Sequence, residues 1–185
     1  RALEHEVDLY HFNEGHALFA GFELIREKML EGMSFEEGRI ACRDSIIFTT
    51  HTPVKAGNET HAVDLLLQVG AGLGVITRDD LVGLAGEPFQ MTVGALRLAK
   101  AANAVAQLHG TTARKMWAEV SDGAHINSIT NGIHLGTWQD GRIREVMSPG
   151  ASEDSLWMVH QELKSELIDE IAKRTKATAY KIFQP

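Results

Sequence analysis

Ile46-Ile47-Phe48-Thr49-Thr50-His51-Thr52-Pro53 is an apolar run that breaks off in hydroxyls, an imidazole and a proline. Pro53 disfavours helix at Thr52 and fixes a turn where the run stops, which displays His51 and the threonine hydroxyls at the end of a strand. The same reading holds twice more, for Leu9-Tyr10-His11-Phe12-Asn13-Glu14-Gly15-His16 and for Ile126-Asn127-Ser128-Ile129-Thr130-Asn131-Gly132-Ile133-His134. Strands of a parallel sheet end on one edge, and open α/β folds bind ligands in the crevice outside that edge. Three polar knots at successive strand ends therefore predict one wall of a binding site.

Around these runs, short apolar stretches alternate with helical spacing, the pattern of βα units and not of a bundle. The fold class expected is α/β, a Rossmann-like parallel sheet flanked by helices, with strands at 7–12, 45–50, 104–108 and 126–130. Leu18, Phe22, Ile25 and Met29 recur at helical spacing opposite Glu23, Arg26, Glu27 and Lys28, which predicts an amphipathic helix lying on the sheet. Ser34 and Glu37 form a capping box for a short helix to about Asp44. Further helices are expected over 61–69, after a Thr77 cap, over 89–102 and over 111–120. A long one should run from a Ser152 cap to about Lys176, with Asp169 and Lys173, and Glu170 and Arg174, as favourable i,i+4 pairs. Segment 139–155, with Gly141, Pro149 and Gly150, reads as a loop. The division expected is 1–150 as the Rossmann-like portion and 151–185 as an interlobe helix and linker.

The 185 residues, 44% of them hydrophobic, can bury a substantial core. A formal charge of −7 and the lack of any Lys/Arg-rich run argue against nucleic acid. No apolar stretch approaches the roughly 20 residues needed to span a bilayer, and the amino terminus is unlike a secretory signal, so a cytoplasmic protein without membrane contact is expected. The single cysteine, Cys42, reads as a buried structural thiol. The chain does not begin with Met, and Tyr180 to Pro185 resembles a linker, so a piece of something longer is expected.

Each knot has a structural and a functional reading. In Asn13-Glu14-Gly15-His16, Asn13 can cap a helix, Glu14 can sit at the positive end of its dipole and His16 can pack; alternatively Glu14 and His16 bind sugar hydroxyls, or one positions the other. Thr50-His51-Thr52-Pro53 is a structural turn or a displayed imidazole. Thr130-Asn131-Gly132 is a turn by composition alone. The nine histidines include no His-Glu-x-x-His and no i,i+4 pair, so no metal is expected. Gly70-Ala71-Gly72-Leu73-Gly74 has the wrong spacing for a dinucleotide loop. No Gly-x-Ser-x-Gly elbow anchors a hydrolase triad.

In order and spacing, His11-Phe12-Asn13-Glu14-Gly15-His16, Phe48 through Gly57, Glu87-Pro88-Phe89-Gln90-Met91-Thr92, Leu108-His109-Gly110 and Thr130 through Trp138 resemble the shorter bacterial and archaeal α-glucan (glycogen, maltodextrin or starch) phosphorylases. The resemblance covers nearly the whole chain. It implies part of the amino-terminal lobe of a double-Rossmann (GT-B) retaining glycosyltransferase, which cleaves α-1,4-glucan with inorganic phosphate to give glucose 1-phosphate. It places the pyridoxal phosphate lysine and most phosphate-binding cations in a carboxyl-terminal lobe outside this chain, so no cofactor-binding residue is assigned here and the isolated chain is expected to be inactive.

Carried over by the resemblance, His51 is the catalytic-site histidine whose backbone carbonyl and ring approach the sugar. Asn13, Glu14, His16, Thr50, Asn131 and His134 are the substrate-binding candidates, with Asn131 and His134 shaping the cleft. A carbonyl or carboxylate at that point would stabilise the partial positive charge of an oxocarbenium-like transition state. The general acid in the family is the cofactor's phosphate acting through inorganic phosphate, so no pair of protein carboxylates is needed. The sequence departs from the family pattern at His11-Phe12, at Lys55 and Asn58, and in a shortened stretch between Gly74 and Glu87. The alternatives are a lobe of a sugar-nucleotide-dependent glucan synthase, which fold analogy does not separate from a phosphorylase, and a noncatalytic glucan-binding lobe.

Overall fold

The computed structural model describes residues 4–150 and 152–175. Its strands are β1 (Tyr10–Asn13), β2 (Ile46–Thr50), β3 (Thr60–His61), β4 (Phe89–Gln90), β5 (Ala101–Ala104) and β6 (Ile126–Ser128). Four of them form one parallel sheet in the order β1-β2-β5-β6, while β3 and β4 pair antiparallel as a separate two-stranded ribbon. Between and after the strands lie α1 (Leu18–Leu30), α2 (Phe35–Arg43), α3 (Val63–Gln68), α4 (Arg78–Ala85), α5 (Met91–Leu98), α6 (Gln107–Met116), α7 (Leu135–Trp138), α8 (Gly141–Val146) and α9 (Glu153–Thr175). The parallel sheet with flanking helices is the expected α/β class.

Register aligns Phe12, Phe48, Ala102 and Ile126 across the four strands, and all four are buried. The neighbouring row, Asn13, Thr49, Asn103 and Asn127, points to the opposite face because side chains alternate along a strand. Helices α1 and α5 pack over the apolar row. Gly21 of α1 sits so close to Phe12 and Leu98 that a Cβ there would collide with the Leu98 side chain, so only glycine permits this approach. Leu18, Phe22 and Ile25 on α1 and Met91, Ala95, Leu96 and Leu98 on α5 complete the layer, with Phe22 and Phe89 meeting edge to face.

Helix α2 begins at the expected capping box: Glu37 N–H donates to Ser34 Oγ and Ser34 N–H to the Glu37 carboxylate. Thr77 and Asp80 make a second box at α4. Arg39 of α2, nearly buried, donates to Glu36, to the Arg97 carbonyl and to Asp122, and Arg43 reaches the same Asp122. The Asp122 carboxyl is held below its usual value, first by the hydrogen bond from Arg43 and then by that from Arg39. This ionic clamp fastens α2 to the loop that leads into β6. Cys42 is buried, and burial pushes its thiol up, as a structural cysteine requires.

Two expectations fail between Phe89 and Val120. The helix ends at Leu98 instead of continuing to 102, and the strand occupies Ala101–Ala104 instead of 104–108. Lys100 N–H donates to the Ile46 carbonyl at 3.0 Å, drawing the alanine run into the sheet beside β2. Alanine favours helix in isolation, yet its small side chain also fits a central strand, and tertiary pairing overrides the propensity. Residues 107–110, read partly as strand, open α6, where Leu108 is 79% exposed. The first strand also starts later than 7, at Tyr10.

The described residues divide into two compact units between Asn131 and Gly132. The second holds α7, α8 and α9, none of which has a buried residue. The expected loop over 139–155 contains α8, started by Asp140, whose carboxylate accepts the Arg142 N–H at 2.8 Å. Arg142 then bridges to Glu166 on α9 through two hydrogen bonds. Ser152 caps α9 by accepting the Ser155 N–H, and Arg174 pairs with Glu170 as its spacing predicts. Lys176 and the stretch 180–185 lie outside the described residues.

Candidate functional site

The carboxyl ends of β1 and β2 lie side by side, and the residues that follow them are joined across the gap. Glu14 N–H donates to the Thr49 carbonyl at 2.9 Å, extending the ladder one residue past β1. There the chain takes φ +73° and ψ 170°, a conformation uncommon for a residue with a side chain. Gly15 follows, buried against α5, and a Cβ on it would stand 3.0 Å from that of Met91. A single 3-10 turn, Gly15–Ala17, then leads into α1.

From this anchored position the Glu14 carboxylate reaches the turn after β2. Its Oε2 accepts the His51 backbone N–H at 2.7 Å and the Thr52 hydroxyl at 3.1 Å, and its Oε1 accepts the Gly15 N–H at 3.2 Å. Asn13 Oδ1 accepts from the His51 ring at Nε2, at 2.6 Å. Because an amide oxygen only accepts, Nε2 carries a proton in this arrangement. His51 is exposed, and its backbone carbonyl meets no donor among the described residues. Beyond it the loop is pinned by Asn58, which donates to the Val54 carbonyl and accepts from the Thr92 hydroxyl, and by Met91 N–H donating to the Glu59 carbonyl.

On the adjoining polar face, Thr49 Oγ1 donates to Asn103 Oδ1 at 2.8 Å, so the His11 Nε2 that stands 2.7 Å from it is the donor of that pair. Thr50, on the apolar side, is fully buried, and its hydroxyl has no partner among the described residues. At the far side of β5, β6 ends at the same edge: Ile129 N–H donates to the Ala104 carbonyl and Asn131 N–H to that of Val105. With neighbouring strands about 4.8 Å apart, β6 stands two steps, about 10 Å, from β2.

The structure thus brings Asn13, Glu14 and His51 into hydrogen-bonding contact and leaves His16 exposed on the turn before α1. Asn131 stands at the same edge with its side chain exposed. His134 belongs to the second unit, where its Nδ1 lies 2.8 Å from Thr137 Oγ1. Asn13, expected as a helix cap under one reading, serves the His51 ring instead, and Glu14 occupies the cap position. Sequence reasoning left His109 out of the site candidates. It is buried on α6 where β5 ends, accepts the Val105 N–H at Nδ1, and has no partner at Nε2 among the described residues. The only signal was its position in Leu108-His109-Gly110 just after a strand. Among the described residues no group of three His, Cys, Asp or Glu side chains could hold a metal, and no helix is long and apolar enough to cross a membrane.

No family model matches the chain. It is similar to the maltodextrin phosphorylase of Thermococcus litoralis, 29% identical over 95% of this chain and 24% of that protein. It is likewise similar to the glycogen phosphorylase of Mycobacterium tuberculosis, at 32% over 91% of this chain and 24% of that protein. An uncharacterized protein of Methanocaldococcus jannaschii is 39% identical over 91% of this chain and 30% of its own length. The chain spans 24–30% of the length of these curated relatives. Aligned along nine-tenths or more of its own residues with maltodextrin and glycogen phosphorylases, and built on a parallel α/β sheet, the chain is similar to a fragment of an α-glucan phosphorylase.

Proposed function

We propose that this chain is part of the amino-terminal lobe of a GT-B α-1,4-glucan phosphorylase, and that its sheet edge forms the glucosyl-side wall of the cleft. The observation that carries the reading is the His51 turn, held from β1 and presenting a backbone carbonyl free of internal donors. A fixed carbonyl dipole stabilises positive charge developing at an anomeric carbon, because it needs no reorganisation as the charge appears. His51 is the catalytic-site residue in this reading. Asn13, Glu14, His16 and Asn131 make up the wall that meets the glucan, whereas Thr50, buried on the apolar side, only shapes the strand end, and the similarity to phosphorylases of named glucan type supports that substrate class.

The described lysines are half-buried or exposed, so none has the enclosed position that a lysine bonded to pyridoxal phosphate needs. In this reading the cofactor and the groups that bind inorganic phosphate belong to the rest of the protein, beyond an interlobe segment that begins near residue 151. The full-length protein, incubated with maltodextrin and phosphate with and without added pyridoxal phosphate, is expected to release glucose 1-phosphate, whereas the 185-residue chain alone releases none. Glucan binding by the full-length protein without phosphate-dependent turnover would refute the assignment.

A further inference from the structure

We infer that Glu14 is a positioning residue, whose carboxylate locks the peptide on either side of the His51 carbonyl instead of binding sugar hydroxyls. The inference rests on the glucan-site reading above and assigns one of its wall residues a different task.

Three observations carry it. First, Oε2 holds two donors that straddle the His51 carbonyl: the His51 N–H before it and the Thr52 hydroxyl after it. Rotation of that carbonyl would break one of these bonds, and bonds to a charged acceptor are the stronger kind. Second, Oε1 is also engaged, by the N–H of Gly15. With both oxygens taken by this chain, little of the acceptor capacity remains for a ligand. Third, Glu14 adopts φ +73° while its own N–H is bonded to Thr49 and its carbonyl accepts from Ala17 N–H. Such a conformation persists where the surroundings over-determine it, commonly at functional sites. Its consequence here is to aim the side chain across to β2. Asn13, the residue before, holds the His51 ring at Nε2, so two consecutive residues of one strand end fix both the ring and the backbone of the histidine.

The test uses the full-length protein, maltodextrin and phosphate, with kcat and KM measured separately. Glu14→Ala is expected to lower kcat about 100-fold while KM for maltodextrin changes less than about 3-fold, because a misaimed group damages the transition state more than binding. Glu14→Gln, which keeps an oxygen acceptor, should recover at least about tenfold of that loss. Thr52→Val should lower kcat several-fold in the wild-type background and add nothing in the Glu14→Ala background, since both act through one geometry. A rise in KM with kcat preserved, a Gln variant as poor as Ala, or multiplicative Thr52 and Glu14 effects would each overturn the inference. If Glu14→Ala does not fold, the same cycle between Glu14→Gln and Thr52→Val decides.

A second readout separates this inference from the glucan reading. The His51 amide should exchange slowly with solvent in the wild-type protein and faster in Glu14→Ala or Glu14→Gln. Protection of that amide in a protein without phosphorolytic activity would sink the glucan reading alone. Unaltered exchange in the variants of an active protein would sink the positioning role alone.

Discussion

The two faces of the parallel sheet are built from the same four strands and obey opposite chemistry. One presents Phe12, Phe48, Ala102 and Ile126 in register, buried under α1 and α5. The other presents Asn13, Thr49, Asn103 and Asn127, tied sideways by His11 to Thr49 and Thr49 to Asn103. A sheet covered by helices on both faces reads as continuous apolar runs. Here only one row does so. The difference teaches where cohesion and specificity reside: the apolar row supplies burial, whereas the polar row orders the strand ends. Asn13 belongs to both the polar row and the His51 clamp, so the site is an extension of the polar face.

The sharpest way to break this contrast is Phe48→Ala. It empties the middle of the apolar row and is expected to cost about 3–5 kcal/mol, read as a lowered urea midpoint with an unchanged slope. Gly21→Ala attacks the same face by overfilling it against Leu98 and Phe12 and should cost about 1–3 kcal/mol by the same measurement. On the polar face, Thr49→Val keeps shape but strands His11 and Asn103. A loss of about 1–2 kcal/mol is expected, and a cost equal to that of Phe48→Ala would erase the distinction between the faces.

Asp122→Asn releases one acceptor of the clamp that holds α2 in the helical layer, and Asn tolerates the φ of +58° found there. Because the Asp122 side chain is 56% exposed, solvent screening limits the loss to about 0.5–1 kcal/mol at neutral pH. Its folded-state value is depressed, so the stabilisation is present above the ordinary value of 3.8 and fades as pH falls below it. Urea unfolding of wild type and variant at pH 7 and near pH 3 should therefore show a difference that shrinks in acid; a constant difference would assign the effect to something other than charge.

Local signals were the legible part of the fold. The Ser34 and Thr77 caps and the amphipathic α1 each follow from a few adjacent residues, and the structure has them where expected. The run Ala101 to Ala104 was misplaced because alanine carries little preference that survives contact with a neighbouring strand. His109 was left out of the site candidates for a related reason: whether a histidine after a strand is buried depends on what packs over it. In the second unit, the stripe of Leu156, Val159, Leu163, Leu167 and Ile171 is readable as a helix face, yet nothing in it says that α9 would lack a buried residue.

By itself, the sequence determined the chemistry available at each strand end: an amide and a carboxylate after β1, an imidazole flanked by threonines after β2, an asparagine after β6. Those follow from hydrophobic runs meeting turn-forming residues. Only the tertiary structure decided that the carboxylate of Glu14 meets the amide of a residue 37 positions away and that Asn13 takes the ring of that same residue. That outcome depends on β1 and β2 being neighbours in the sheet. Which strands become neighbours is settled by how α1, α2 and α5 cover the apolar row, a property of the packed whole that no single segment encodes.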